Sequence, residues 1–371
     1  MTAAEILRVL VAIPTPSLSS NVPLLHWVRE FVEARGWQVQ LLPYTDERSV
    51  AKANMVARPK GIPPHDPIEL AFVCHTDTVP FADSWSDALE LHERDAFLHG
   101  CGACDVKGAL ASFLAAVGAA GDRTDDGVAL ILTADEEIGC KGMERLLASG
   151  LPHMRAAIVS EPTSLRIGVA GKGYGLARVT VTGAEAHSAF PSEGRSAIAI
   201  AARMIADLYA TSQSGGGADA LFDPSHTAVN VGLIEGGTAK NIIAGKCWFL
   251  VEWRPIPADP PSRVLGEIEQ LALDMEGLHH GSRIVVERLR AEAGFAPVVG
   301  GRLRARLMQL VGPAVTGISF GSEASRIARV ADEVIVMGPG DMHTAHSNRE
   351  CVPVGELVKW TAILERLLRN A

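Results

Sequence analysis

The sequence predicts an α/β fold with a mixed or parallel sheet, and a smaller α+β domain inserted into it. Up to about residue 170, helix-like and strand-like segments alternate, which is typical of a sheet layered with helices. From residue 172 to residue 290 the order becomes β-α-β-β-α-β, the order of a four-stranded antiparallel sheet under two helices. From about residue 291 the alternation of helix-like and strand-like segments resumes. We therefore expect one domain built from residues 1–171 and 291–371, with residues 172–290 inserted between its two parts.

Segments of the first part differ in the spacing of their apolar residues. The chain opens with Ile6, Leu10 and Ile13 at helical spacing, and residues 23–35 are also amphipathic, so both segments are predicted helices. Residues 108–120 are alanine-rich and predict a third helix. Short apolar runs rich in β-branched residues predict buried strands at residues 68–74, 128–133 and 156–159.

The inserted part begins with a strand, because LARVTVTG alternates polar and apolar residues with period two. The strand-like runs HTAVNVGLI, AGKCWFLVEWRP and SRIVVERL complete the predicted sheet. Apolar spacing predicts helices at residues 196–209 and 264–275, and the loops at residues 171–174 and 289–294 would act as hinges. After the second hinge come a helix at residues 301–311, the strand VIVMGPG and a closing helix at residues 354–368.

Composition restricts the class of protein. A chain of 371 residues, 47% of them hydrophobic, can bury the cores of two domains. Its net charge of −9 and its scattered basic residues argue against a nucleic-acid partner. No apolar run approaches the roughly 18 residues of a membrane span, and six cysteines are too few for a disulfide scaffold. We therefore expect a soluble, cytoplasmic protein that has no membrane partner.

Acidic residues and histidines gather where predicted strands end. The carboxyl ends of strands in an open α/β sheet converge on one edge, where ligands bind. Several carboxylates at one edge repel each other unless cations are present, and imidazoles with carboxylate oxygens suit zinc or a similar first-row ion. The candidate residues of this kind are His75, Asp77, Asp105, Glu136, Glu137, Glu161, His343 and His346.

Two of these segments have an arrangement that suits catalysis. In HTD, residues i and i+2 of an extended chain share a face, so Asp77 can orient the ring of His75. In LILTADEEIG, Glu136 and Glu137 point in opposite directions if the chain is extended there. One of them could bind metal while the other takes a proton from water, and two metals about 3.5–4 Å apart are the usual device for such a reaction.

Five ordered motifs also carry a family resemblance. The segments CHTDTVP, CDVKG, TADEEIG, SEPT and AHSNRE resemble those of the di-zinc metallohydrolases that include acetylornithine deacetylase and succinyl-diaminopimelate desuccinylase. Aminoacylases and glutamate carboxypeptidases belong to the wider family. The segments GGTAKNIIAGKCWFLVEWRPIP and FGSEASRIA look particularly like the acetylornithine deacetylase branch, whereas Cys104, Val106 and AHSNRE differ from its usual pattern. The resemblance implies a zinc-hydrolase catalytic domain with an inserted lid and dimerisation domain.

The resemblance implies a site for two divalent metal ions, with Zn²⁺ as the expected ion and Co²⁺ as a substitute. Asp105 would bridge both ions. His75 and Glu161 would complete one metal site, and Glu137 and His346 would complete the other. The peptide bond after Asp105 is expected to be cis.

The same resemblance assigns the roles next to the metal ligands. Glu136 would be the general base, and Asp77 would orient the ring of the metal ligand His75. His343 is the alternative to His346, but the family register places an acid, here Glu350, shortly after the ligand and so favours His346.

The inserted domain is expected to supply substrate contacts. His187 in AEAHSAF matches the family's lid histidine, which reaches across a homodimer to the substrate carbonyl. Asn230, Asn241 and Arg254 match polar positions on the substrate side, and the guanidinium of Arg254 suits a substrate carboxylate. Glu323 in FGSEAS is a candidate contact for the amine end of the substrate.

The resemblance therefore implies that the protein hydrolyses the amide bond of an N-acyl amino acid, a small molecule. The preferred substrate is N-acetyl-L-ornithine, which would give L-ornithine and acetate in arginine biosynthesis. N-acetylcitrulline, N-succinyl-diaminopimelate and a dipeptide are alternatives with the same chemistry. A non-catalytic homologue that only binds metal is the alternative of another class, and the presence of Glu136 argues against it.

Overall fold

The computed structural model describes residues 1–121, 124–212 and 216–369. The chain divides into two units, each with a sheet and a core of its own. The first unit comprises Met1–Val169, Pro297–Thr316 and Ser322–Ala371, and the second comprises Ala170–Ala296 and Gly317–Gly321.

Strands of the described residues form three sheets. In chain order they are β1 (Trp37–Thr45), β2 (Ala51–Pro59), β3 (Ile68–His75), β4 (His92–Arg94), β5 (Phe97–His99), β6 (Val128–Thr133), β7 (Met154–Val159), β8 (Ile167–Gly171), β9 (Tyr174–Thr182), β10 (Ala228–Gly236), β11 (Lys246–Arg254), β12 (Arg283–Glu292), β13 (Val315–Ile318), β14 (Ala331–Val336) and β15 (Cys351–Pro353). The sheet orders are β1-β2-β6-β3-β7-β14-β8-β13, β10-β11-β9-β12 and β15-β5-β4.

Helices alternate with these strands along the chain. They are α1 (Ala3–Ala12), α2 (Val22–Glu33), α3 (Lys107–Ala120), α4 (Lys141–Ala148), α5 (Ala197–Ser212), α6 (Ser262–Leu278), α7 (Arg302–Val311), α8 (Ala324–Ile327) and α9 (Val354–Leu368). Helix α1 begins at a capping box between Thr2 and Glu5. Helix α3 is buried around nearly its whole circumference because α1 and α9 pack against it. No helix in the described part of the chain is both long and apolar enough to cross a membrane.

The parallel centre of the large sheet positions the candidate residues. Strands β6, β3, β7 and β14 pair in parallel, so their carboxyl ends meet at one edge. Strand β6 is buried throughout, as expected where both faces of a parallel sheet are covered. His75 ends β3, Asp135 follows β6 by two residues, and Glu161 follows β7 by two residues.

A small sheet joins two distant parts of the first unit. Strand β15 pairs antiparallel with β5, so that Cys351 lies opposite His99. Just before β15, the carbonyl of Glu350 accepts a hydrogen bond from the N–H of Gly100 at 3.4 Å. The segment that carries His346 is thereby held next to the loop that carries Asp105.

The second unit is a four-stranded antiparallel sheet with two helices on one face. Helices α5 and α6 pack on β9, β11 and β12 through a core that includes Val179, Phe249 and Ile268. Gly175 in β9 is required by close packing, since a Cβ atom there would lie 1.8 Å from Cε2 of Trp253. The order β9-α5-β10-β11-α6-β12 confirms the α+β domain predicted from the sequence.

The predicted fold class is confirmed, but β1 and β2 at one edge of the large sheet and β8 and β13 at the other were not predicted. Strand β1 is half-exposed along most of its length, and the alternation of its first five residues ends before Pro43. Strand β2 is buried almost throughout, yet it carries Lys52, Asn54 and Arg58. Each strand begins with a short alternating run, WQVQL or AKANM, which is typical of a half-buried strand, but neither segment is among the predicted strands.

An ion pair in the second unit contributes to its stability. The carboxylate of Asp259 accepts hydrogen bonds from Nε and Nη2 of Arg263, at 2.6 and 2.7 Å, and another from Thr227. Burial raises the pKa of Asp259, but the hydrogen bonds from Arg263 and Thr227 outweigh this effect and lower the pKa overall. A lowered pKa means that the pair stabilises the folded protein above the unfolded pKa of about 4, and that this contribution is lost as the pH falls through the folded value.

We expect Asp259→Asn to lower the free energy of unfolding by about 1–3 kcal/mol at neutral pH, because Arg263 loses its charged partner. The difference should shrink as the pH falls below about 4. The control is Asp207→Asn, which removes the partner of Arg203 at the same i,i+4 spacing. Because the side chain of Arg203 is 69% exposed, this change should lower the free energy of unfolding by less than about 1 kcal/mol. Urea unfolding at both pH values measures these changes, and equal losses in the two variants would contradict the role of burial.

Candidate metal centre

His75 ends strand β3, and both nitrogens of its ring have partners. The residue is 3% exposed. Its Nδ1 lies 2.9 Å from the main-chain carbonyl of Asp77, and its Nε2 lies 3.1 Å from Oδ1 of Asp105. When Nδ1 donates to the carbonyl, Nε2 presents its lone pair, which is the arrangement of a metal-binding imidazole.

The carboxylate of Asp77 supports the loop after β6 more closely than it supports His75. It lies 3.8 Å from Nδ1 of His75. Its Oδ1 accepts the N–H of Glu136 at 3.0 Å, and its Oδ2 accepts the N–H of Glu137 at 3.3 Å. The hydroxyl of Ser17 also donates to Oδ2 at 2.8 Å. Asp77 thus orients His75 through its main chain and anchors the two glutamates through its side chain.

Asp105 lies between two histidines. Its Oδ1 is 3.1 Å from Nε2 of His75, and its Oδ2 is 3.0 Å from Nε2 of His346. The peptide bond between Asp105 and Val106 is cis, as the family resemblance implied. One carboxylate therefore faces two imidazoles with its two different oxygens, which is the geometry a bridging ligand needs.

Glu350 fixes the main chain around Asp105. Its carboxylate accepts hydrogen bonds from the N–H groups of Gly102, Cys104 and Asp105, each at 3.0 Å. Burial raises the pKa of Glu350 to about 7, although these N–H groups act to lower it. The loop is consequently shaped around a single side chain from the far end of the sequence.

Two groups of possible ligand atoms share Asp105. Within each group, one ligand atom per residue lies within 4.8 Å of the others. The groups are His75, Asp105 and Glu161, and Asp105, Glu137 and His346. These are the five residues for which the sequence suggested metal binding.

The two histidines near the end of the chain differ in their surroundings. Nε2 of His346 lies 3.2 Å from Oε1 of Glu137 as well as close to Asp105. The side chain of His343 is 94% exposed and pairs with Asp341. His343 belongs to neither ligand group among the described residues.

Burial acts strongly on the acids of this centre. Burial, together with the charges of Glu137 and Glu323, raises the pKa of Glu136 to about 8 against the opposing effect of His75. Burial and the charge of Asp105 also raise the pKa of Glu161 well above its usual range. Carboxyl groups in this state hold protons unless positive charge is supplied nearby.

The histidines and Asp105 stabilise one another. Burial alone would raise the pKa of Asp105, but hydrogen bonds with His346 and His75 lower it. The hydrogen bonds with Asp105 and Glu137 raise the pKa of His346 to about 10. The centre therefore favours positive charge next to its carboxylates.

The donor set fits two divalent ions. It combines imidazole nitrogens with carboxylate oxygens, which suits zinc and related first-row ions, and one carboxylate belongs to both groups. The raised pKa values of the buried acids indicate a demand for positive charge that protons meet only in part. A pair of cations would satisfy that demand.

Glu136 lies outside both ligand groups. The thiol of Cys140 donates to its Oε1 at 3.3 Å. Within the described ranges, no lysine, arginine or histidine forms an ion pair with its carboxylate. Glu136 is thus the acid of this centre whose carboxyl group is available for proton transfer.

Glu323 is buried in the first unit. It is 1% exposed, and its Oε2 accepts a hydrogen bond from the hydroxyl of Thr133 at 2.8 Å. Its Oε1 has no hydrogen-bond partner in the part of the chain that the structure describes. Burial raises its pKa to about 7, with an opposing effect from His75. An amine is the kind of group that would satisfy the free oxygen.

The other predicted substrate residues lie in the second unit, and two of them are neighbours. His187 forms an isolated β-bridge with Ile242, the residue after Asn241. The N–H of Ser188 also donates to the carbonyl of Asn241 at 3.0 Å. His187 and Asn241 therefore lie together beyond the end of strand β9, and His187 is exposed.

Arg254 and Asn230 lie at the opposite end of the same sheet. Arg254 ends β11 opposite Ala228, and Asn230 lies opposite Glu252 in the same pair of strands. Nε of Arg254 donates to Oε1 of Glu252 at 2.8 Å, and the guanidinium stacks 4.3 Å above the ring of Tyr174. Strand β10 has nine residues, so its two ends are roughly 25 Å apart at about 3.3 Å per residue.

Three supports of the centre were not assigned from the sequence. Glu350 served only to fix the register of His346, and the contacts of Ser17 and Lys52 were not expected. Lys52 had a detectable signal, because a lysine in a strand with apolar neighbours must find a partner or remain exposed. The hydrogen bonds of Glu350 with the loop of Asp105 have no such signal, because the residues that they join lie 245 to 248 positions apart.

Known proteins resemble the chain in sequence and in fold. The model of Peptidase family M20/M25/M40 matches residues 71–370. An acetylornithine deacetylase of Myxococcus xanthus is 40% identical over 364 residues, which cover 97% of this chain and 95% of that protein. A tripeptidase of Staphylococcus aureus has a TM-score of 0.76 at 20% identity and covers 99% of this chain and 97% of its own. A dinuclear metal-binding peptidase of the same family from Bacillus subtilis has a TM-score of 0.69 at 15% identity, covering 100% of this chain and 98% of its own.

These similarities confirm the resemblance that the five motifs predicted. The family model spans most of the chain, and the 40% identical relative spans nearly all of it. The chain therefore belongs to Peptidase family M20/M25/M40 and is a metallohydrolase that acts on amide bonds.

Proposed function

We propose that this chain removes the acyl group from an N-acyl amino acid, with N-acetyl-L-ornithine as its substrate. The proposal rests on the two ligand groups that share Asp105, together with the available carboxylate of Glu136. The 40% identical relative, an acetylornithine deacetylase, supports the choice of substrate. The product, L-ornithine, would then enter arginine biosynthesis. The free state of all six cysteines supports a reducing compartment, and we propose the cytoplasm.

We assign the two ligand groups to two divalent ions, Zn²⁺ in the native protein and Co²⁺ as a substitute. His75 and Glu161 would hold one ion, Glu137 and His346 would hold the other, and Asp105 would contact both. When bound, such ions polarise an amide carbonyl and lower the pKa of water. The hydrogen bonds around His75 and Asp105 keep these ligands in place before any ion arrives.

Glu136 is proposed as the general base. One of its carboxylate oxygens would take a proton from the attacking water, and would later give that proton to the leaving amine. Its carboxylate belongs to neither ligand group and forms no ion pair among the described residues, so it is available to accept and release a proton. Asp77 and Cys140 fix its main chain and its Oε1, respectively, by hydrogen bonds.

Substrate recognition is assigned to the remaining predicted residues. Arg254, with Asn230 nearby, would bind the substrate carboxylate through its guanidinium. Glu323 would accept a hydrogen bond from the amine end of the substrate through its free Oε1. His187 and Asn241 would stabilise negative charge on the acyl oxygen.

A homodimer would explain why these residues lie at two ends of one sheet. A small substrate cannot span the roughly 25 Å between the ends of β10, so His187 and Arg254 of one chain cannot contact the same molecule. A second copy of the chain could supply His187 to the site that contains Arg254. Strand β10 is an edge strand with Leu233 58% and Ile234 53% exposed, which suits pairing with another copy.

A substrate panel tests the proposed activity. We expect the zinc- or cobalt-loaded protein to hydrolyse N-acetyl-L-ornithine with a higher kcat/KM than N-acetylcitrulline, N-acetylmethionine, N-succinyl-diaminopimelate or a dipeptide. Every compound of the panel has a carboxylate for Arg254, but N-acetylcitrulline and N-acetylmethionine lack the amine that Glu323 would contact. Release of the free amine measures the rates. A clear preference for another member of the panel would reject N-acetyl-L-ornithine as the substrate.

Glu136→Gln should remove the general base while it leaves the five metal ligands in place. We expect kcat to fall by about 100-fold to 10,000-fold, with the metal content unchanged. Elemental analysis of the purified protein measures the metal, and steady-state assays measure kcat. Glu93→Gln, on the exposed strand β4, is the control and should keep the parental kcat. A Glu136→Gln variant with near-parental kcat would show that another group takes the proton.

Mixing two inactive variants tests the shared site. His187→Ala and Arg254→Ala should each lose most activity when pure, because every site in such a dimer lacks one residue. After equal amounts are unfolded, mixed and refolded, we expect about one quarter of the parental activity, since half of the dimers are mixed and each has one intact site. Parental protein taken through the same cycle is the control. No recovery in the mixture, with full recovery of the control, would contradict a site built from two copies.

A further inference from the structure

Asp135, the first acid of the run ADEE, has no place in the proposed reaction. It belongs to neither ligand group, yet it is 1% exposed. Its φ is 58°, in the left-handed region that costs free energy for a residue other than glycine. A buried carboxylate in such a conformation persists only where its surroundings hold it there.

Two neighbouring strands supply the groups that hold Asp135. Nζ of Lys52, on β2, lies 2.8 Å from Oδ1, and the hydroxyl of Tyr44, on β1, donates to Oδ2 at 2.8 Å. The side chain of Lys52 is 0% exposed, so this ion pair is shielded from water. Burial and the charge of Asp135 raise the pKa of Tyr44, which keeps the phenol a donor. Oδ2 of Asp135 is therefore held by a hydrogen bond, whereas Oδ1 accepts no hydrogen bond from the described residues and is held by the ion pair with Lys52.

The same lysine connects Asp135 with the anchor of Glu136. Nζ of Lys52 also donates to the carbonyl of Ser17 at 2.8 Å. The hydroxyl of Ser17 donates to Asp77, and Asp77 accepts the N–H of Glu136. Glu136 is consequently fixed from two directions, through its peptide bond to Asp135 and through its hydrogen bond with Asp77.

The three consecutive acids differ in the positive charge that faces them. Asp135 faces the ammonium group of Lys52, and Glu137 faces the ring of His346. Glu136 faces no cation at ion-pair distance in the described part of the chain. Neutralising Asp135 therefore reduces the repulsion along the run and leaves a single available carboxylate.

We infer that Lys52, Asp135 and Tyr44 act as one positioning unit, which fixes the turn that presents Glu136 to the metal centre. This inference rests on the proposed role of Glu136 as general base. None of the three side chains belongs to a ligand group, so the unit acts through the main chain.

Three single variants and one double variant test the unit in the metal-loaded protein. Tyr44→Phe removes one hydroxyl, Lys52→Met removes the cation, and Asp135→Asn removes the charge but tolerates a positive φ. We expect each to lower kcat by about 10-fold to 100-fold, with KM changed by less than about threefold because ground-state binding is retained. The kcat of the double variant Lys52→Met/Asp135→Asn should be no lower than that of the worse single variant, because the effects of residues that act as one unit do not add.

A matched control separates positioning from stability. Asp259→Asn also removes a buried carboxylate from its cation, but in the second unit. It should lower the thermal unfolding temperature while it leaves kcat unchanged. The visible absorption spectrum of the cobalt-loaded Asp135→Asn protein should match the parental spectrum, because Asp135 contacts no ligand group.

Distinct results would overturn the inference or the function on which it rests. Parental kcat in folded Tyr44→Phe and Asp135→Asn would reject the positioning unit, and these two variants decide the matter even if Lys52→Met does not fold. A changed cobalt spectrum in Asp135→Asn would also reject it, since the unit would then act on the ligands rather than on Glu136. A near-parental kcat in Glu136→Gln would instead reject the proposed role of Glu136 as general base, and no hydrolysis of any member of the substrate panel would reject the proposed function.

Discussion

The carboxylate of Glu350 holds three main-chain N–H groups of the loop that carries Asp105, and the metal centre depends on that contact. Asp105 must present one oxygen to His75 and the other to His346, and this requires a fixed main chain. The hydrogen bonds from the loop to Glu350 provide it, and the pairing of β15 with β5 brings Glu350 to the loop. Because both ligand groups share Asp105, an error in this loop would displace both together.

The edge of the sheet concentrates negative charge, and the protein distributes positive charge unevenly against it. Asp135 receives a buried lysine, whereas Asp105 and Glu137 receive histidines. Among the described residues, Glu136 forms no ion pair, and its carboxylate accepts a hydrogen bond from the thiol of Cys140. The same run of acids thus contains a structural ion pair, a ligand and a free carboxylate. Their different partners, rather than their own chemistry, set these roles.

Much of the fold and of the site could be predicted because the signals are local. Apolar spacing identified α9 and β6, and the placement of acids after strands identified residues such as His75 and Glu161. What could not be predicted depends on distant contacts.

Strands β1 and β2 are not among the predicted strands, because the alternating run in each is short and β2 buries the polar residues of its run. The placement of His187 and Arg254 at opposite ends of a sheet also required the register of β9, β10 and β11, which spacing along the chain does not reveal. Contacts such as that between Glu350 and Gly102 join residues 248 positions apart, and no local rule indicates them.

The division of the chain also has a consequence for the order of folding during synthesis. The second unit is formed almost entirely by the continuous segment Ala170–Ala296. The first unit needs Ser322–Ala371 to join residues that were made at the beginning. Because domains generally fold as units during synthesis, we expect the second unit to complete its fold before the first, whose last segment is made later. During that interval Asp105 lacks both His346 and the clamp of Glu350, so the nascent chain holds only part of its metal-binding centre.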